Sequence, residues 1–227
     1  KTSFYQSIAK NKWAIYGARY ESKKIATRQS YGEALAKLGE ENKQVVALDS
    51  DLSEATKTSI FAKQFPERFF DMGIAEANMM STAAGMATTG KVPFASTFAV
   101  FAAGRSYDQI RNSICYPNLN VKICSTHSGI TVGEDGATHQ MLEDISMMRT
   151  LPNMKVLSPA DDIETKWAIE EAYKQKGPVY VRLSRLATPI IYGEDQKFEF
   201  GKMIQFGRGI DATIFASRRC ASRSIKS

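Results

Sequence analysis

The feature that most constrains this chain is a repeated switch of hydrophobic period. Short runs that are nearly all apolar alternate with longer segments whose apolar residues recur every three to four positions. The runs are 45–51 (VVALDSD), 69–73, 92–97, 121–127 (VKICSTH), 155–159 and 179–184 (VYVRLS). The helical segments are 28–42, 57–64, 76–89, 99–115, 139–149 and 161–175. A strand without apolar–polar alternation is buried on both faces, and helices between such strands imply parallel pairing. The expected fold is a doubly wound α/β domain, a mostly parallel sheet with helices on both faces. Such sheets bind ligands beyond the C-terminal ends of their strands, so the residues that follow each run carry the functional information.

This body occupies residues 23–192. Residues 1–22 show no period and read as an N-terminal extension or a remnant foreign to the domain. Residues 193–227 read as a linker and the truncated start of a second α/β domain. There 211–216 (DATIFA) looks like a first strand, and the helix that should follow it is lacking. The net charge of +6 divides unevenly: residues 1–24 carry +5 and residues 217–227 carry +4, leaving −3 on the body. An acidic body with basic ends does not make a basic groove, so no nucleic acid is expected. No run of about 18 apolar residues is present and no secretory signal pattern opens the chain, so no membrane association and a cytoplasmic location are expected. Cys115, Cys124 and Cys220 match no metal spacing, and the first two read as small core residues.

Both histidines of the chain fall in one window, THSGITVGEDGATHQMLEDI (126–145). His127 ends a strand, a glycine-rich loop with Glu134 and Asp135 follows, and His139 opens the next helix. The bland alternative is a loop with two satisfied histidines. Two histidines with two carboxylates between them at a strand end favour a functional role. The spacing fits no zinc motif, so no metal site is expected on this chain. In FFDMGIAEANMMSTAAGMA (69–87), Glu76 opens a helix that is apolar almost all round. A carboxylate there compensates the helix dipole. It also borders a dry site, where the charged form is disfavoured, so its pKa should rise, which makes it a candidate proton donor. Phe98 and Phe101 follow the third run and suit either core packing or stacking on an aromatic ligand. Arg28 and Arg185 sit at the ligand end. They are either solvated surface residues or bidentate partners for a phosphate.

In order, the segments IATRQSYGEALAKLG, FFDMGIAEANM, PFASTFAVFAAGRSYDQIR, GITVGEDGATHQMLEDI and VYVRLSR resemble transketolase over about residues 24–216. The resemblance implies a thiamine-diphosphate-binding fold of the pyrimidine type and transfer of a two-carbon ketol unit between phosphosugars. It implies that Glu76 hydrogen-bonds N1′ of the cofactor's aminopyrimidine, with Phe98 and Phe101 around the ring. It implies that His127, Asp135 and His139 meet the substrate, the histidines binding its oxygens or relaying protons, and that Arg28 and Arg185 bind its phosphate. Where the family often has a phosphate-binding serine, this chain has Ala55, with Thr56 beside it. The diphosphate and Mg²⁺ motif of whole transketolases is missing, so the resemblance implies a separate diphosphate-binding partner chain and a self-associating dimer. Two other readings remain: a subunit similar to 1-deoxyxylulose-5-phosphate synthase, and a catalytically silent assembly module.

Overall fold

The computed structural model describes residues 23–206, 210–217 and 220–221. The proposed N-terminal extension, 1–22, lies outside the described residues. All six expected strands form one parallel sheet: β2 (Val45–Asp49), β3 (Phe69–Asp71), β4 (Val92–Phe98), β5 (Lys122–Thr126), β6 (Lys155–Leu157) and β7 (Val179–Arg182), in the order β3-β2-β4-β5-β7-β6. Five of the six stop one to two residues short of the expected end, because the chain leaves the sheet to build loops at that edge. β4 instead runs one residue further.

Successive residues of each strand feed opposite cores. Val46 and Leu48 pack with Met79, Met80, Ile114 and Ile123 on one face. Val45 and Ala47 pack with Tyr31, Leu35, Phe61 and Ile169 on the other. This is why the runs read as continuous rather than alternating. The second face is covered by α1 (Thr27–Glu41), α3 (Ser59–Gln64) and α6 (Asp162–Lys174). The first is covered by α4 (Glu76–Thr88), α5 (Asp144–Arg149) and a composite helix that follows β4. At the edge away from the ligand end, Lys122 is fully buried and its Nζ donates to Asn120 Oδ1 at 2.7 Å, Gln175 O at 2.7 Å and Gly177 O at 2.9 Å. Burial pushes this ammonium down to about 7.

Two further strands lie outside the sheet: β1 (Lys24–Ala26) pairs antiparallel with β8 (Ala187–Pro189). Asp161 caps α6 through Glu164 N and also accepts the backbone N–H groups of Ile191 and Tyr192, so the exit segment is tied down.

Several expectations are corrected. The segment 57–64 is split into α2 (Ser53–Thr56) and α3, because Lys57 takes a left-handed backbone at φ +74°. The expected helix 139–149 is a single 3₁₀ turn, Ala137–His139, then a break, then α5. Gly136, at φ +72°, and the bridge between Gly129 and Met141 turn the chain before a helix can propagate. The segment 99–115 is helical but underwound, with π turns over Val100–Arg105 and Ile110–Cys115 around Tyr107–Gln109. Residues 211–216 form no strand, since no strand among the described residues lies alongside to bond them. Within the single chain α4 is not apolar on every side, since Asn78, Ser81, Gly85 and Thr88 are exposed.

Close packing makes one stability prediction. A Cβ on Gly32 of α1 would meet the carbonyl oxygen of Lys57, with Lys57 Cβ at 2.8 Å and Ile60 Cδ1 at 2.9 Å. Backbone does not yield as a flexible side chain does. Gly32→Ala is expected to cost about 1–3 kcal/mol, read as a lower urea midpoint with an unchanged slope.

Candidate functional site

The loops that leave β4 and β5 bring four of the eight expected residues, Phe98, Phe101, His127 and His139, into direct contact, and Arg105 links them to a fifth, Glu76, on the loop that leaves β3. Glu76 is the first residue of α4, and its side chain is only 3% exposed. Both of its carboxylate oxygens lie 2.9 Å from Arg105 Nη1. The helix pattern sets this carboxylate near a dry site and is silent on a counter-charge. The structure supplies one.

Arg105 ends the first π turn. Its guanidinium carbon sits 4.3 Å from the centroid of Phe101. Phe101 in turn lies 5.8 Å from Phe98 and 7° from parallel. The Phe98 ring stacks on His127 at 3.7 Å. His139 meets both phenylalanines edge-on, at 6.4 and 5.4 Å. The phenylalanine pair is therefore the centre of the site, and only Phe98 is fully core-like.

His127 is held in a left-handed backbone, φ +56°, which costs a non-glycine residue of order 1–3 kcal/mol. Its Nδ1 pairs with Thr126 Oγ1 at 2.9 Å, and the residue is only 3% exposed. Burial first, and then the charges of Arg28, Arg185 and His139, push its pKa from 6.5 down to about 3. It is thus a neutral imidazole at physiological pH, suited to hydrogen bonding. His139 is less covered and pairs through Nδ1 with Thr138 Oγ1 at 2.9 Å. Asp135 is exposed on the loop between them.

The arginines are placed by the β1–β8 clamp. Thr27 Oγ1, at the start of α1, accepts from Ser184 N at 2.7 Å and pairs with Ser184 Oγ at 3.0 Å. This joins the residues just before Arg28 and Arg185. Burial, then the charge of Arg185, lowers the pKa of Arg28. Arg28 Nη1 donates to Ala55 O at 2.8 Å, and Arg185 Nη2 pairs with Glu134 at 3.1 Å. The Arg185 guanidinium lies so close to Gly133 that any Cβ there would collide with its Nη1. Two cations and a neutral histidine that already feels them make a place where an anion is favoured.

Asp49, which sequence reading passed over, organises the loop beneath Arg28. It is buried at the end of β2, accepts the hydroxyls of Thr56 and Thr58 at 2.6 and 2.8 Å and Leu52 N at 2.8 Å, and burial pushes its pKa up to about 6. Thr56 is therefore spent on Asp49 and does not replace the serine that Ala55 lacks. The missed signal is the pattern of acid followed by two threonines at 49, 56 and 58. Arg105 carried no comparable signal.

A model of the transketolase pyrimidine-binding domain matches residues 23–190. The chain belongs to this family. It is 54% identical over 192 residues to a chain described as a transketolase C-terminal section from Methanocaldococcus jannaschii, covering 84% of this chain and 61% of that one. Human transketolase is 43% identical over 180 residues, covering 79% of this chain and 29% of the human protein. Among solved structures, a split-gene transketolase described as an inactive β4 tetramer matches with a TM-score of 0.72 and 57% identity, over 79% of this chain and 58% of that one. The chain thus spans about three fifths of the Methanocaldococcus jannaschii chain and of the split-gene structure, and under a third of the human enzyme. In this member of the transketolase family, Cys115 and Cys124 are buried free thiols, and no described helix is long and apolar enough to cross a membrane.

The histidine makes a prediction. Between about pH 6.5 and 3 the unfolded chain binds a proton at residue 127 that the folded chain refuses. Its contribution is complete above pH 6.5 and is lost as pH falls through that window, on the order of a few kcal/mol in all. Asp49 acts in the opposite sense between pH 3.8 and about 6. The measurement is therefore a difference: His127→Asn, which tolerates the left-handed backbone, is expected to lose less stability than wild type between pH 7.5 and pH 5 in chemical denaturation.

Proposed function

We propose that the chain is the pyrimidine-binding subunit of a two-chain, thiamine-diphosphate-dependent transketolase, which transfers a two-carbon ketol unit between phosphosugars of the pentose phosphate pathway in the cytoplasm. The observation that carries the reading is the joining of two chemistries at one sheet edge. A buried carboxylate lies beside an aromatic pair, and the same aromatic pair touches both histidines, next to two arginines.

The residues fit the cofactor's aminopyrimidine. Glu76 offers a ring nitrogen a buried acceptor, and Phe101 offers a flat apolar face, both now met by a planar cation. Thiamine diphosphate, when bound, supplies the electron sink for C–C cleavage. Glu76 would hold the proton shared with the ring nitrogen, and Phe98 and Phe101 would fix the ring plane. His127 and His139 would bind substrate oxygens or relay a proton, Asp135 a hydroxyl, and Arg28 and Arg185 the phosphate. Among the described residues no group of three acidic, histidine or cysteine side chains is placed to hold a metal ion. We assign Mg²⁺ and the diphosphate to a diphosphate-binding partner chain. The split-gene relative described as an inactive β4 tetramer supports that division. The open small-residue face of α4 suits self-association into a dimer.

The test is ketol transfer from xylulose 5-phosphate to ribose 5-phosphate with thiamine diphosphate and Mg²⁺. Activity is expected only when this chain and a diphosphate-domain chain from the same source are combined. Chains that associate and transfer nothing would overturn the proposal. Acceptance of pyruvate as donor would move the reading to the deoxyxylulose-phosphate synthase reaction.

A further inference from the structure

Arg105 makes, inside this chain, the two contacts that the proposed function assigns to a ligand. Its Nη1 donates to both oxygens of Glu76, and its guanidinium carbon lies over the Phe101 ring, 4.3 Å from the centroid. The backbone is wound for this. Ser106 donates to Phe101 O through both its N–H and its hydroxyl, each at 3.2 Å, which closes a widened π turn across residues 101–106. Such single-turn bulges gather at functional sites. The two partners also differ in exposure: the Glu76 side chain is 3% exposed and that of Arg105 is 49% exposed.

We infer that Arg105 is a place-holder in the pyrimidine site, which swings out when the cofactor ring binds and thereby sets cofactor affinity. The inference rests on the proposed function above. A guanidinium is a flat, cationic N–H donor, so it imitates the edge and the face of a protonated aminopyrimidine at once. Without a ring in place, Glu76 alone would be a buried charge with no partner, which is strongly unfavourable. Arg105 supplies that partner. With its outer half already in water, it regains hydration easily when it leaves. A carboxylate held by arginine on both oxygens is a poor acceptor for a ring proton, so the pair has to open before the ring and Glu76 meet. Apparent affinity is then the intrinsic affinity reduced by the fraction of chains with the pair open.

The test is calorimetric titration of thiamine diphosphate with Mg²⁺ into the reconstituted two-chain complex, comparing wild type with Arg105→Met, Arg105→Gln and Arg105→Lys. The Met and Gln variants are expected to bind about tenfold more tightly, as for a pair closed nine-tenths of the time. The Lys variant, still a cation, should fall between them and wild type. A second readout needs no ligand. In denaturant melts of the chain alone, Arg105→Gln and Glu76→Gln should lower the midpoint non-additively, because each removes the same contact. Affinity that is unchanged or weaker in both neutral variants, with wild type binding normally, overturns the place-holder and leaves the proposed function standing. Additive midpoints overturn it too. A wild-type complex that binds no thiamine diphosphate overturns the proposed function, and the place-holder with it. If the Met variant does not fold, the Gln variant decides.

Discussion

Glu76→Ala is expected to lower kcat of the reconstituted enzyme by about 10²- to 10⁴-fold, the range in which a positioned proton-transfer group contributes. Among the described residues the carboxylate is the only acid paired with the cation on the aromatic pair, and it is held at the N-terminus of α4, so no described neighbour replaces it. The same change should leave the fold largely intact. The lost partner, Arg105, is half in water and resumes hydration without a buried orphan. Glu76→Gln sharpens the result. It keeps the shape and one acceptor oxygen, so cofactor binding should suffer less than turnover. Steady-state rates at saturating cofactor, with affinity measured separately, check both parts. A variant within tenfold of wild type in kcat would remove Glu76 from the chemistry.

The second large effect is expected at the arginines. Arg185→Ala should raise KM for a phosphorylated ketose donor about 10- to 100-fold, since charge-assisted hydrogen bonds are worth roughly 1.5–3 kcal/mol. An unphosphorylated ketose should be nearly indifferent. The reasoning starts from the present partners. Among the described residues Glu134, an 85% exposed carboxylate, is the only acid bonded to Arg185, and such surface pairs are weak, so an incoming phosphate displaces it at low cost. Arg28 is anchored to Ala55 O and stays in place beside it. Loss of both substrates' KM in equal measure would mean that Arg185 supports the loop and not the phosphate.

How far these features are legible in sequence depends on the kind of force that fixes them. The sheet is legible because burial on both faces writes itself as unbroken apolar runs. The exception is instructive: Lys122 sits inside such a run and looks like a solvent-facing position, yet three oxygens from Asn120, Gln175 and Gly177 surround its ammonium. Nothing local announces the two of these acceptors that lie more than fifty residues away. Placement at strand ends is likewise legible for Glu76, Phe98, His127 and Arg185, since it needs only the strand boundary. The contact between Arg105 and Glu76 is not. It depends on a turn wider than the 3.6-residue period, and periodicity reads the underwound segment as an ordinary helix. The failed helix at 139–149 has the same origin: a bridge between Gly129 and Met141 and the burial of Asp144 against Tyr180 and Arg182 outrank local propensity.

The antiparallel pairing of β1 with β8 has a consequence for how such a domain is connected to anything else. Lys24 lies opposite Pro189, so the polypeptide comes in and goes out through one seam. Whatever is attached upstream and whatever is attached downstream meet the domain at the same point, and neither has to be cut to admit it. A unit built this way can be spliced into a longer chain or left as a separate gene product with the same internal wiring. The clamp that sets the two arginines is also the socket through which the module is plugged in.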